Sequence, residues 1–417
     1  MKKVLVISYF YPPLGGVGVI RTLKFTKYLP EFGWMPYVLT VKNRDRFYTD
    51  FGRDEIPDHV RVYRAWNILN NLSVVEGGLR RIGVHSKVLI PDAYLGWIPM
   101  AVKKGKEIIE QENIDLIYVS GPPFSSALIG KRLKELTGVP LIIDFRDGWT
   151  INPYGSSYSL KVVERFDQKF ERTVLSSTDH VIFNTDELRD HYVRASPSLI
   201  LKSSVINNGF DIQDIPADPE PFDKYTIAYT GYFYGSRNPE AFLLALHQII
   251  QEGMIPKDRI QFLWAGRDVP SIHQIVDHLG LSEIVRYLGL IPKVDADNLL
   301  YRSHLLLLIE GKTKDSTPTY AIPNKLFPYI ASARPILALV SEGSSLTFLK
   351  KYADHAHVIQ TGEISDIINV IVDEYHNYQS ASGKQIVVSD RIKEFRKKYN
   401  YESLTASLSH IFEQITQ

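Results

Sequence analysis

Short apolar runs alternating with amphipathic helical stretches run through this chain, and that pattern leaves few folds open to it. In the first half the runs are 3–8, 36–41, 60–63, 116–120, 140–144, 180–184 and 204–207. Each is the length of one strand, and most, such as 3–8 and 116–120, are nearly continuous in apolar residues rather than alternating. That is the mark of strands buried on both faces of a parallel sheet. Between them 19–32, 100–111, 125–137 and 160–176 read as helices. Helices covering both sides of a parallel sheet define an α/β, doubly wound, Rossmann-like domain.

The pattern then breaks and restarts. Residues 208–225, with Ile215-Pro216-Ala217-Asp218-Pro219-Glu220-Pro221, are polar and rich in proline, the composition of an inter-domain linker. Beyond it 226–230, 260–265, 285–288, 305–309 and 335–340 read as strands between further helices. The expected division is an N-terminal Rossmann-like domain at 1–207, a linker at 208–225, a second Rossmann-like domain at 226–388, and a C-terminal helix at 389–417 packing back on the first domain. Two such domains joined by one linker are expected to set the carboxyl ends of their strands on a shared cleft, where α/β sheets take ligands.

Composition excludes several classes of function. Cysteine is absent, which rules out disulfides, thiolate nucleophiles and cysteine-ligated metals. Forty-eight Lys and Arg face 47 Asp and Glu, a balance unlike that of a nucleic-acid binder. The balance is uneven along the chain: residues 1–206 hold 28 basic against 22 acidic residues, the remaining 211 hold 20 against 25. A basic front half points to a face that meets something anionic. No apolar stretch approaches the roughly 20 residues of a spanning helix, and the opening Met1-Lys2-Lys3 run is too short for a secretion signal, so a cytoplasmic location is expected.

Five stations carry chemistry. Pro12-Pro13-Leu14-Gly15-Gly16-Val17-Gly18 follows the first strand and opens the first helix, with Arg21 one turn in. Glycines let backbone approach a ligand, and a helix N-terminus offers unpaired N–H groups to an anion. The spacing is not the dinucleotide Gly-x-Gly-x-x-Gly, which argues against a nicotinamide dehydrogenase. Ser120-Gly121-Pro122-Pro123-Phe124-Ser125-Ser126 ends another strand, where Ser125 or Ser126 is placed to cap the next helix. Asp144-Phe145-Arg146-Asp147-Gly148-Trp149 sets charges at a strand end, costly unless they pair or bind. Tyr229-Thr230-Gly231 through Arg237 is the glycine turn of the second domain. Finally, Ile322-Pro323-Asn324-Lys325-Leu326 puts a lysine at the start of a helix, against the dipole, a position that a bound phosphate justifies. Asp295-Ala296-Asp297 has the Asp-x-Asp form of a sugar-transfer metal site, yet it falls where an acidic first turn belongs. No histidine spacing forms a metal site, and no metal is proposed.

In this order the stations resemble the GT-B glycosyltransferases, specifically the retaining, nucleotide-sugar-dependent family 4. Tyr11-Pro12-Pro13 through Gly18 and Arg21 looks like that family's acceptor-domain loop. Pro91-Asp92-Ala93-Tyr94-Leu95-Gly96-Trp97 and Asp144-Phe145-Arg146-Asp147 look like a branch acting in capsule, O-antigen, lipopolysaccharide or exopolysaccharide synthesis. Asn208-Gly209-Phe210-Asp211 resembles the domain junction, and Leu288-Gly289-Leu290-Ile291-Pro292 the segment that holds the base. One departure stands out. The family's Glu-x7-Glu pair, aligned on Lys325-Leu326-Phe327, falls on Tyr320 and Pro328, so both carboxylates are missing. Glu310 is the nearest carboxylate available to substitute.

The resemblance implies glycosyl transfer with retention from a UDP- or GDP-sugar to a saccharide or polyprenyl-linked saccharide, without a metal or other cofactor. A donor phosphate oxygen would deprotonate the acceptor on the same face. The expected catalytic set is Arg237, Lys325, Asp147 and Arg146. Donor contacts are expected from Gly15, Gly16, Gly18, Gly231, Leu290, Ile291, Ile322, Pro323 and Leu326, and acceptor contacts from Arg21, Ser125 and Trp149. The alternatives are a catalytically weak or inactive nucleotide-binding paralogue, to which Tyr320 and Pro328 point, and a nucleotide-sugar epimerase. Basic and aromatic residues at 79–82, 95–98 and 103–106 make a peripheral membrane contact there an expectation as well.

Overall fold

In the computed structural model all residues are described except 43–55, 70–88, 152–157, 159, 217–218, 312–318, 361, 381–385 and 387. The chain divides into two compact units, 1–208 with 401–417 and 209–400. In the first, strands β1 (Lys2–Ile7), β2 (Trp34–Val41), β3 (Arg61–Ala65), β4 (Leu116–Gly121), β5 (Leu141–Phe145), β6 (His180–Phe183) and β7 (Ser203–Val205) form one sheet. Its order is β3-β2-β1-β4-β5-β6-β7, and every pairing is parallel. Helices α1 (Val17–Tyr28), α2 (Ile98–Glu112), α3 (Ser125–Thr137), α4 (Lys161–Ser177) and α5 (Asp186–Ala195) alternate with them. The runs without polar alternation are the strands closed on both faces: Val4 to Ile7 and Leu116 to Val119 are buried throughout. Gly130 lets α3 lie close on that sheet; a Cβ there would stand 2.5 Å from Val119 Cγ2.

The second unit repeats the plan. Its strands β8 (Tyr225–Thr230), β9 (Ile260–Ala265), β10 (Val285–Gly289), β11 (Leu305–Ile309), β12 (Ile336–Leu339) and β13 (Ala356–Ile359) run parallel in the order β10-β9-β8-β11-β12-β13. Helices α6 (Glu240–Gln251), α7 (Pro270–His278), α8 (Lys293–Arg302), α9 (Leu326–Ser332), α10 (Ser344–Tyr352), α11 (Ile364–Ser380) and α12 (Asp390–Tyr399) fill the connections. In both sheets the order reverses beside the first strand, between β1 and β4 and between β8 and β11. Ligands of open α/β sheets sit at the carboxyl ends of the strands at such a reversal.

Two readings of chain organisation come out differently. The proline-rich stretch is held to the second unit: Phe222 N–H donates to Arg302 C=O at 3.1 Å, the Arg302 guanidinium covers the Phe222 ring, and Lys293 pairs with Asp214 at 3.2 Å. The tail read as a single helix is two. Asn400, with extended backbone, ends α12, and α13 (Tyr401–Ile415) follows on the first unit. There Tyr401 meets Phe25, Phe412 meets Trp34 and Tyr118, and Lys2 pairs with Glu413 at 2.7 Å.

Candidate functional site

The reversal point of the second sheet gathers charged groups that keep buried polar atoms without a hydrogen-bond partner among the described residues. Gly231 follows β8 and Glu310 follows β11, so the adjacent ends of two neighbouring strands set the floor. Lys325 stands at the cap position of α9. Its Nζ is buried, has no hydrogen-bond partner among the described residues, and lies 3.8 Å from the centre of the Tyr229 ring. Gly231 makes room for it: with φ at +141° the residue is in backbone that disfavours side chains, and a Cβ there would be 2.5 Å from that Nζ.

Arg237 closes a tight turn in which its own N–H donates to Tyr234 C=O at 3.0 Å. Its guanidinium is 4.9 Å from the Tyr234 ring centre, and its Nε is buried without a hydrogen-bond partner among the described residues. Glu310 is 8% exposed; one carboxylate oxygen accepts from the Ser345 hydroxyl and the other has no hydrogen-bond partner among the described residues. Asn324 Oδ1 and Thr319 Oγ1 are also buried without a hydrogen-bond partner among the described residues.

The electrostatics of this group follow from its dryness. Burial drives the Lys325 pKa well below that of an ordinary lysine; Arg237 pushes it the same way, and Glu310 opposes. Burial raises the Glu310 carboxyl, against the pull of the Ser345 hydrogen bond, Arg237 and Lys325. Two cations and one carboxylate leave a net positive charge with open donors, and an unpaired buried charge costs several kcal/mol, roughly, unless a counter-ion arrives. The arrangement therefore fits an anion, and its several donors fit a phosphate or diphosphate.

The remaining donor candidates are divided between the two units. Leu290 is 50% exposed just past β10, and Ile291 half-buried beside it. Ile322 and Leu326 are buried, so they can offer a ligand little beyond backbone; Pro323 is half-buried. Gly15, Gly16 and Gly18 belong to the first unit, at the start of α1, where Gly16 takes φ of +96° as the cap.

Three residues expected to hold the acceptor, and one expected in catalysis, do other work. Arg21 is 2% exposed. Its guanidinium makes a two-pronged pair with Asp144, Nε at 2.6 Å and Nη2 at 2.9 Å, and donates to the carbonyls of Ile206 and Asn207. Tyr118 adds a hydroxyl to Asp144 at 2.6 Å. With its donors engaged inside the unit, Arg21 joins α1, β5 and the end of β7 rather than reaching a ligand. Trp149 is 5% exposed, stacks on Phe124 at 4.8 Å, and donates its indole N–H to Asp167 at 2.8 Å. Ser125 does not cap α3: Asp92 accepts from its N–H at 2.9 Å and from the N–H of Tyr94 at 3.0 Å, while the Ser125 hydroxyl is buried. Arg146 donates to the carbonyls of Gly18 at 2.6 Å, Gly121 at 3.3 Å and Pro122, tying the end of β5 to the end of β4 and to the first turn of α1.

Asp147 differs from these. It is exposed as a residue, and desolvation by the protein around its carboxyl raises the pKa against the pull of Arg146. Sequence reasoning missed the Ser345–Glu310 contact and the Asp92 cap. Their partners are 35 and 33 residues apart, and nothing in local spacing signals them.

Packing bears on two further stretches singled out in the sequence. Asp297 is buried against Lys293, which also pairs with Asp214, so the Asp-x-Asp form is a salt-bridged helix start; no cluster of three metal-ligating side chains exists among the described residues. In the stretch read for membrane contact, Trp97 is completely buried and 79–82 lies outside the described residues. No described helix is long and apolar enough to cross a membrane.

Comparison with known proteins gives this geometry its context. Residues 15–214 match the family Glycosyltransferase Family 4. HepE from Anabaena, crystallised with UDP, superposes over 99% of this chain and 100% of its own at a TM-score of 0.66 and 14% identity. Sucrose-phosphate synthase from Thermosynechococcus elongatus does so over 99% of each chain at 0.67 and 15% identity. WaaG, a glycosyltransferase involved in lipopolysaccharide biosynthesis, does so over 98% of this chain and 99% of its own at 0.62 and 12% identity. No curated protein matches in sequence.

Proposed function

We propose that this glycosyltransferase of GT-B fold, family 4-like over its first half, transfers a sugar from a nucleoside diphosphate sugar to a saccharide or lipid-linked saccharide, with retention at the anomeric carbon. The observation that carries the reading is the pair of buried, unpartnered cationic groups, Lys325 Nζ and Arg237 Nε, at the reversal point of the second sheet. The solved relatives with UDP or UDP-glucose bound support a nucleotide-sugar donor.

In the reaction the bond from the anomeric carbon to the diphosphate oxygen breaks, and the acceptor oxygen bonds that carbon on the same face. The acceptor proton passes to the departing phosphate oxygen. Negative charge grows on the diphosphate as the bond breaks, so fixed cations there act on the transition state more than on the ground state. Lys325 and Arg237 supply them without a metal. Glu310 stands in for one of the carboxylates lost to Tyr320 and Pro328, offering its open oxygen to a donor hydroxyl. Acceptor recognition falls to the first unit, where Asp147 is an exposed carboxylate just past a strand end. Cell-surface polysaccharide synthesis is the role that the family resemblance favours.

The second reading, a nucleotide-binding paralogue of little or no activity, rests on Tyr320 and Pro328 themselves. One experiment separates the two. A panel of UDP-, GDP- and ADP-sugars is scored for thermal shift and for slow donor hydrolysis, with and without a chelator. Stabilisation with chelator-insensitive turnover supports transfer; stabilisation with none supports the paralogue; no stabilisation by any nucleotide overturns both.

A further inference from the structure

Helix α4 is mounted with its polarity reversed. Its carboxylates Asp167 and Glu171 face inward, at 0% and 6% exposure. Asp167 accepts from the Trp149 indole and the Tyr158 hydroxyl; Glu171 accepts from the hydroxyls of Thr150 and Tyr192. These four hydrogen bonds fix the rotation of the helix about its axis, since turning it would strand two buried acids. The face thereby held outward is apolar. Val162 and Phe166 are each 54% exposed and Phe170 36%, a row at i, i+4 and i+8, extended by Leu160 at 62% just ahead of the first turn.

Charge accompanies that row. Lys161, Arg165, Lys169 and Arg172 are all exposed, and at 3.6 residues per turn they fall along one flank of it. Glu164, half-buried, is the one acidic residue of the first three turns not sealed inside. The outward surface of α4 is thus two phenylalanines and a valine beside four positive charges.

We infer that this face of α4 is a docking surface for an anionic lipid bilayer, its aromatic rings entering the interface and its basic flank meeting the headgroups. A second copy of the chain fits worse. Two such faces brought together would bury like charges against each other, whereas an anionic surface answers every one of the four. Consecutive strand and helix run antiparallel in this architecture, so the start of α4, with Leu160, lies toward the carboxyl ends of the strands, where Asp147 also stands. A bilayer on this face delivers a lipid-linked acceptor to the edge of the sheet where the acceptor is read. The surface is a property of the first unit and does not depend on the donor chemistry of the second.

The test is flotation of the full chain with phosphatidylcholine vesicles, with and without about one-third phosphatidylglycerol. Binding is expected only with the anionic lipid, and weakening with salt. Phe166→Ser/Phe170→Ser is expected to weaken it roughly tenfold or more. Lys161→Glu/Arg165→Glu/Lys169→Glu should abolish it, since each basic residue contributes a factor of roughly five. Both variants should keep the wild-type melting temperature and UDP-induced shift, because none of these side chains is buried. Absence of flotation by the wild type overturns the inference, as does equal flotation of the variants. It is overturned equally if the wild type is a dimer that Phe166→Ser/Phe170→Ser converts to monomer without any effect of lipid. Loss of the UDP shift in the wild type would instead count against the donor reading and leave this one standing.

Discussion

The Nζ of Lys325 lies where the Cβ of any other residue at Gly231 would have to go, 2.5 Å away, over the face of Tyr229. One glycine thus makes space for one buried cation, and neither has an evident purpose without a ligand.

Lys325→Ala should lower kcat/KM by roughly 10² to 10³, or about 3–4 kcal/mol of transition-state stabilisation. The same variant should melt no lower than the wild type, because it removes an unpaired buried charge that burdens the fold. Steady-state kinetics beside calorimetry check both halves. A loss of stability matching the loss of rate would recast Lys325 as structural.

Gly231→Ala should raise the UDP dissociation constant by about tenfold or more, equivalent to about 1.4 kcal/mol. The added methyl displaces Lys325, and the φ of +141° adds strain of its own, about 1–3 kcal/mol. Titration calorimetry with UDP reads the effect; unchanged affinity would separate Gly231 from the phosphate site.

Diphosphate binding should take up a proton. Burial lowers the pKa of Lys325 well below that of an ordinary lysine, and an arriving anion favours the ammonium. UDP affinity is therefore expected to fall as pH rises, with a binding heat that depends on the ionisation enthalpy of the buffer. Lys325→Arg, which stays charged, should bind with a flat profile.

The pair of Arg21 and Asp144 should behave as buried ion pairs do. Asp144→Leu strands a guanidinium at 2% exposure and is expected to cost about 3–5 kcal/mol in urea unfolding. Adding Arg21→Met should recover much of that loss. If it recovers nothing, the carbonyls of Ile206 and Asn207 hold Arg21 more than Asp144 does.

Acid should weaken both units, with His180 in the first and His304 in the second contributing most. Burial holds His180 and His304 down to about 4. Their neutral rings are engaged, His180 with Ser204 at 2.9 Å and His304 Nδ1 accepting from Thr226 N–H at 3.0 Å. Between pH 4 and about 6.5 the unfolded chain binds the proton that the folded chain refuses, so stability falls as pH drops through that window, by about 1–3 kcal/mol per site. His180→Gln and His304→Gln should each flatten part of the slope in pH-dependent melting.

The chain's own order of residues determined its layers. Runs such as 116–120 and 305–309 can only be strands closed on both faces, and their alternation with helical patterns dictates a doubly wound parallel sheet, twice over. Local chemistry also marked Gly231, Arg237 and Lys325, because a glycine at a strand end and cations at the following turns are unusual wherever they stand. What sequence could not decide is whether a polar residue is spent inside or left for a ligand. Arg21 and Lys325 look alike on paper. Arg21 meets Asp144, 123 residues further on, and is consumed by it; Lys325 meets only the edge of that need, with Glu310 beyond salt-bridge reach and itself tied to Ser345. The rotation of α4, which turns phenylalanines to solvent and acids inward, was settled likewise by Trp149, Tyr158 and Tyr192. Periodicity names the faces of a helix, but partners brought in from elsewhere in the chain choose which one is buried.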